Sequence, residues 1–169
     1  MPSHDIAALL KEYRAAPEEF LAAHPNPWIV WQPPLDIFGG AGEPLLQTTT
    51  HLRGLSPKDD LADAVAVEVV KVPGRNSFPG GVTMGRSSSN DVQLDNEKVS
   101  RLHAWLVQRK DGGWTIADAE SQNGTLVAGA QLAPGKAVNL AEKAELDLGG
   151  LHVTYYSAAA LAEYLKGRR

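Results

Sequence analysis

The chain of 169 residues contains no cysteine, which excludes disulfides and thiolate metal sites and accords with a reducing compartment. It also lacks any apolar run near the roughly 18 residues of a membrane span. Its start, Met1-Pro2-Ser3-His4-Asp5, has neither the basic nor the apolar region of a secretory signal. A cytoplasmic protein with no membrane partner is the expectation. Positive charge is not in excess either: with a formal net charge of −4, nothing draws nucleic acid as a main partner, and any anion site must be local. His4, His24, His51, His103 and His152 form no ligand pair at helical or hairpin spacing, so no metal is expected. The run Gly39-Gly40-Ala41-Gly42 lacks the Lys-Ser/Thr ending of a P-loop and reads as a turn. No cofactor is expected.

What is there suffices for folding. Apolar residues make up 43% and charged residues 21%, as in ordinary globular proteins, and the length allows one domain plus an extension. Ile6, Leu9, Leu10 and Tyr13 recur at helical spacing behind Asp5, a good N-cap, which predicts a short amphipathic helix. Pro17 opens a second, with Glu18 and Glu19 in its first turn and Phe20 and Leu21 behind them. From His24 to about Asp60, Pro25, Pro27, Pro33, Pro34, Pro44 and Pro57 break long regular elements. Yet Trp28, Ile29, Val30, Trp31, Ile37 and Phe38 are too apolar for a solvated linker. This stretch reads as an irregular segment packed on the main domain or on a partner.

After Leu61 the period becomes that of strands. Residues 64–70, 82–84, 91–94, 103–108, 114–116, 125–127, 137–140, 145–148 and 151–156 are strand-like, with turn signals such as Pro79-Gly80-Gly81, Asp111-Gly112-Gly113 and Asn123-Gly124 between them. Short strands with no helix between them argue for an all-β sandwich. Ser157 then caps a final helix whose Leu161, Tyr164 and Leu165 share one face. The expected organisation is an N-terminal extension over 1–60, a β domain over 61–156 and a C-terminal helix over 157–169.

Three segments of the β region carry chemistry: Gly85-Arg86-Ser87, Val99-Ser100-Arg101-Leu102-His103-Ala104 and Ser121-Gln122-Asn123-Gly124-Thr125. Their order and spacing resemble the forkhead-associated (FHA) family, whose pattern is a Gly-Arg pair, a Ser-Arg-x-His segment and a Ser-x-Asn-Gly-Thr segment. Asn90-Asp91-Val92 and the strand from Trp114 to Asp118 fit as well. The resemblance covers somewhat more than half the chain. It implies an FHA-like β-sandwich of about ten or eleven strands that binds phosphothreonine in an extended segment of a partner protein, downstream of a Ser/Thr kinase, through loops at one end.

Such a reader must capture a group of about −1.5 to −2 charges with three acceptor oxygens. A guanidinium meets two of those oxygens at once and keeps its charge, which singles out Arg86. Ser100 matches the family's phosphate-binding serine, and Arg101 behind it either adds a second positive contact or braces the loop. Asn123 matches the asparagine that pairs with the peptide backbone. The resemblance further implies that Lys98, two places before the serine, favours an acidic residue three after the phosphothreonine. Gln122 replaces a common threonine and so bears on specificity. Gly85, His103, Ser121, Gly124 and Thr125 are expected to support the site structurally.

Two other functions compete. Ser100, His103 and Asp118 include the residue types of a hydrolase triad, but there is no Gly-x-Ser-x-Gly elbow, and residues three apart on an extended chain point to opposite faces. No enzyme is expected. The other alternative is an FHA scaffold or self-association module that ignores phosphate and uses the N-terminal extension with Trp28 and Trp31. Within the extension, Thr48-Thr49-Thr50 resembles the threonine-rich motif with which some bacterial FHA proteins close on themselves, although Gln47 and His51 lack its acidic residue. The triplet is thereby a candidate intramolecular ligand.

Overall fold

A computed structural model of the chain describes residues 3–32 and 64–168. Among these are twelve short strands: β1 (His4–Asp5), β2 (Trp28–Trp31), β3 (Val65–Glu68), β4 (Val82–Gly85), β5 (Val92–Gln93), β6 (Ala104–Gln108), β7 (Trp114–Asp118), β8 (Thr125–Val127), β9 (Ala130–Gln131), β10 (Val138–Asn139), β11 (Lys143–Leu148) and β12 (Leu151–Tyr156). They form a seven-stranded sheet, ordered β1-β3-β2-β12-β11-β8-β9, and a five-stranded sheet, ordered β10-β7-β6-β4-β5. Neighbouring strands are antiparallel except β4 and β5, which run parallel. The all-β sandwich expected from the strand pattern is present.

Three helices make a further layer. Asp5 caps α1 (Ile6–Ala15) by accepting from the Ala7 N–H at 2.9 Å. Pro17 starts α2 (Pro17–Ala23), its missing N–H costing nothing at the first helical position. Ser157 caps α3 (Ala158–Lys166) by accepting from the Ala160 N–H at 3.1 Å. Ile6, Leu9, Phe20, Leu161 and Leu165 are buried together with Trp28, Val30, Ala66 and Tyr156 of the larger sheet. The alternate residues of the same strands, Ile29, Val67, Val153 and Tyr155, pack instead with Met84, Leu106 and Ile116 of the smaller sheet. The larger sheet is therefore covered on both faces, which is why β2 reads Trp-Ile-Val-Trp without polar alternation.

The structure corrects the reading of the stretch after His24 in one respect. Residues 28–31 are not irregular but an interior strand, paired with β3 on one side and β12 on the other. Flanking prolines hide it from a composition reading, yet none lies inside the four residues that need ladder hydrogen bonds. Ile37, Phe38, the Gly39–Gly42 run and Thr48–Thr50 lie outside the described residues.

Register places the functional loops together. Met84 pairs with Ala104 and Ala104 with Asp118, while Thr125 pairs with Leu148 and Leu148 with Leu151. The end of β4, the start of β6, the end of β7, the start of β8 and the β11–β12 turn thus share one end of the sandwich.

Candidate phosphopeptide site

Arg86 follows the last residue of β4, and its backbone N–H donates to the Ser100 carbonyl at 2.9 Å. Its Nε donates to the Val99 carbonyl at 3.1 Å. Among the described residues the terminal Nη groups have no partner, so the fork stays available while its stem is braced. Gly85 is required by the close approach of the next loop: a Cβ there would lie 2.4 Å from the Arg101 carbonyl oxygen. That same oxygen accepts from the Ser87 N–H at 3.1 Å and from the Asn90 side-chain amide. Asn90 therefore clamps the loop that carries Ser100 and Arg101 against the loop that carries Arg86.

Ser100 is fixed from two directions. Its backbone N–H donates to Nδ1 of His103 at 3.0 Å, and its Oγ accepts from the Gln122 N–H at 2.9 Å. The hydroxyl hydrogen has no acceptor among the described residues and is free for an incoming oxygen. The chain bends at Arg101 and Leu102 before β6 begins at Ala104, so the reading of Ser100 and His103 as opposite faces of an extended chain fails locally. No triad follows from their contact. The Ser100 hydroxyl faces the Gln122 amide, both ring nitrogens of His103 are held by backbone groups, and Asp118 binds Ser121 and Thr125.

His103 is fully buried and bridges two loops, with Nε2 at 3.0 Å from the Gly124 carbonyl. Since a carbonyl only accepts and the Ser100 N–H only donates, the ring must be neutral with its hydrogen on Nε2. Burial lowers its pKa from the ordinary value; protonation would also put a second N–H against that of Ser100. The folded-state value thus lies below the unfolded value of about 6.5. The stabilisation from His103 is fully present above that unfolded value and is lost as pH falls through the lower folded value. Thermal midpoints measured from pH 7.5 down to 5 should decline, and His103→Gln should remove the part of the slope that begins near pH 6.5. An unaltered slope in the variant would assign the decline to other groups.

The third loop is organised by Asp118, which accepts from the Ser121 N–H at 3.0 Å, from the Ser121 hydroxyl, and from the Thr125 hydroxyl at 2.6 Å. Burial alone would raise this carboxyl, but those hydrogen bonds outweigh it and hold the group below its usual range. The Asn123 Nδ2 donates to the Lys98 carbonyl at 3.0 Å, and its Oδ1 has no partner among the described residues. Gly149 has φ of +67°, and a Cβ there would meet the Lys98 carbonyl oxygen at 2.4 Å. Glycine is thus the residue that lets the β11–β12 turn support the Lys98 backbone.

These loops enclose an open depression of about 690 Å³ lined by Arg86, Lys98, Ser100, Arg101 and Gln122, with Ser87, Ser89, Glu97, Val99, Leu102 and Glu120 completing it. Five of the six residues expected to bind or select ligand line it. Asn123 stands outside the lining, beside Lys98. Gly85, His103, Ser121, Gly124 and Thr125 lie behind it and hold the loops. The sequence reading missed Ser87, Ser89, Glu97, Val99, Leu102 and Glu120 as lining residues and Asn90 as the loop clamp. A polar Asn-Asp pair ahead of an apolar strand was the available signal for Asn90. Three cations stand against two carboxylates around the depression, so it is locally positive on a chain of net charge −4.

The family model described as FHA domain matches residues 82–149. Over that stretch the chain is similar to FHA domains. FHA domains are protein-interaction modules. A 76-residue stretch, 42% of this chain, is 40% identical to the ABC transporter ATP-binding/permease protein Rv1747 of Mycobacterium tuberculosis, of which it covers 9%. The chain thus spans under a tenth of that relative's length. EmbR of Mycobacterium tuberculosis, solved in complex with a low-affinity phosphopeptide, aligns at 29% identity and TM-score 0.40 over 45% of this chain and 19% of its own. The N-terminal FHA domain of S. cerevisiae Rad53p, solved with a phosphothreonine peptide, aligns at 18% identity and TM-score 0.47 over 59% of this chain and 89% of that one. Among the described residues, no group of His, Asp or Glu is arranged to hold a metal ion, and no helix is long and apolar enough to cross a membrane.

Proposed function

We propose that the FHA domain of this chain binds phosphothreonine in an extended segment of a protein, reversibly and without chemistry, in Ser/Thr kinase signalling in the cytoplasm. The observation that carries the reading is an Arg86 fork and a Ser100 hydroxyl hydrogen, both without a partner among the described residues, in one positive depression. A phosphate takes two charge-assisted bonds from the fork and one from the hydroxyl. Arg101, exposed and without a side-chain partner among the described residues, adds a second cation. Asn123 offers its Oδ1 and remaining amide hydrogen to the peptide backbone, while Lys98 and Gln122 adjust the choice of neighbouring residues.

The chain's own Thr48, Thr49 and Thr50 are a candidate source of the same ligand. They lie outside the described residues, but β2 ends and β3 begins at the end of the larger sheet that bears Gly149 and Gly150, since Val30 pairs with Thr154 and Trp31 with Val65. The connecting segment therefore starts and finishes at the site end. A phosphate-independent scaffold is less supported, because Trp28 is fully buried between the larger sheet and the helices and Trp31 is partly buried against the core between the sheets.

The test is equilibrium binding of a phosphothreonine peptide library and its unmodified counterpart, including residues 45–53 phosphorylated singly at each threonine. Phosphothreonine peptides should bind and unmodified ones should not. Equal binding of both sets overturns the reader function in favour of the scaffold, and failure of all three 45–53 peptides removes the intramolecular ligand.

A further inference from the structure

The depression that collects the cations also holds Glu120, whose presence the phosphate function leaves unexplained. Glu120 has φ of +55°, a left-handed conformation that costs any residue with a Cβ and that glycine would occupy freely. The conformation is imposed by its neighbours: the Ala119 N–H donates to the His103 carbonyl at 2.9 Å, the Ser121 N–H to Asp118 Oδ2 at 3.0 Å, and the Gly135 N–H to the Asp118 carbonyl at 2.9 Å. A side chain at position 120 is therefore aimed by a fixed turn. That side chain is exposed, lines the depression, and receives no hydrogen bond or ion pair from any described residue. Lys98, Arg101 and Arg86 line the same depression and leave it unneutralised.

A carboxylate with no partner among the described residues, carried on a held turn beside a phosphate site, repels a ligand that brings only negative charge. It is neutral or favourable toward a ligand that also brings a cation. The geometry points to Glu120 as a specificity-determining residue that selects phosphothreonine segments carrying a lysine or arginine within a few residues of the phosphate. This rests on the phosphothreonine reading and sharpens it: the ligand class is a segment of mixed charge, its phosphate toward Arg86 and Ser100 and its cation toward Glu120.

The experiment is a positional scan of one phosphothreonine peptide, with Ala, Lys, Arg or Glu at each flanking position, titrated into the wild-type chain, Glu120→Gln and Glu120→Lys. Wild type should prefer Lys or Arg over Ala at one position by about fivefold, the upper range of one exposed ion pair. The preference should fade in high salt, as a Coulombic selection must. Glu120→Gln should flatten it and raise affinity for the Ala peptide, and Glu120→Lys should turn it toward Glu. Circular dichroism melts of both variants check that they fold, and Glu120→Gly, which relieves the backbone, serves as a third variant that should also lose the selection. If wild type binds phosphothreonine peptides with no basic preference, or if Glu120→Gln keeps the preference, Glu120 is not the selector and the phosphothreonine function stands. If no peptide binds in a phosphate-dependent way, the reader function itself falls and the Glu120 role with it.

Discussion

Arg86→Ala is expected to weaken phosphothreonine peptide binding by about 2 to 5 kcal/mol, the usual cost of deleting one member of a hydrogen-bonded charge pair in an interface. At about 1.4 kcal/mol per tenfold, this is a loss of roughly thirtyfold to a few thousandfold. The size follows from what the arginine already does in the absence of ligand. Its Nε is held by the Val99 carbonyl at 3.1 Å, so the guanidinium is oriented before phosphate arrives and little rotamer entropy remains to be lost. Arg86→Lys keeps the charge but not the fork and should fall between wild type and alanine. Since Arg86 is exposed, the alanine variant should melt within a few degrees of wild type, so its defect is one of binding. Titration calorimetry on the three proteins checks the order, and equal affinity of wild type and Arg86→Ala for a phosphothreonine peptide would remove Arg86 from the site.

The second large effect is on stability and lies behind the site, at Asp91. This carboxylate is fully buried. It accepts from the Thr83 N–H at 2.8 Å, the Thr83 hydroxyl at 3.0 Å, the Val72 N–H at 2.9 Å and the Lys71 Nζ at 3.0 Å. Burial alone would raise its pKa, but the Thr83 and Val72 N–H bonds and Lys71 outweigh that and bring it down to about 2. Alanine would leave the Thr83 and Val72 N–H groups without their acceptor, while Lys71 keeps its bond to Asn76, at about 3 to 5 kcal/mol from roughly 1 to 3 kcal/mol for each orphaned buried donor. Asparagine keeps one acceptor but turns an NH₂ toward donors, so it should be nearly as damaging. Because the folded value is depressed, the stabilisation is present above the unfolded value of about 3.9 and lost as pH falls through about 2. Urea unfolding at neutral pH should show the drop, and a change under 1 kcal/mol in Asp91→Ala would mean that water replaces the carboxylate well.

The contrast between these residues shows what could be read without coordinates. Arg86 and Ser100 stand in short contiguous motifs, and the motifs sit at strand ends that the apolar alternation reveals. Asp91 has partners at positions 71, 72 and 83, so nothing in its own surroundings announces four hydrogen bonds. Strand β2 was hidden for another physical reason. It is buried on both faces, so it lacks polar alternation, and it is only four residues long between Pro27 and Pro33. The contact between Ser100 and His103 depends on a bend at residues 101–102, and an extended-chain rule applied across that bend gives the wrong faces. Asn123 was legible as a site residue by resemblance, but its bond to the Lys98 carbonyl, which makes it a brace as well, needed the fold.

The register of β2 against β3 has a topological consequence. Trp31 and Val65 are partners in the ladder, so residues 32–64 occupy the place of a hairpin loop. Closing a loop costs only about 0.6 kcal/mol more for each doubling of its length. The stability of the sandwich therefore depends only weakly on how many residues connect those two strands. The family match covers residues 82–149 and so omits β2, β3 and β12, and a fragment cut to its limits would leave one edge of β11 unpaired and a core face uncovered.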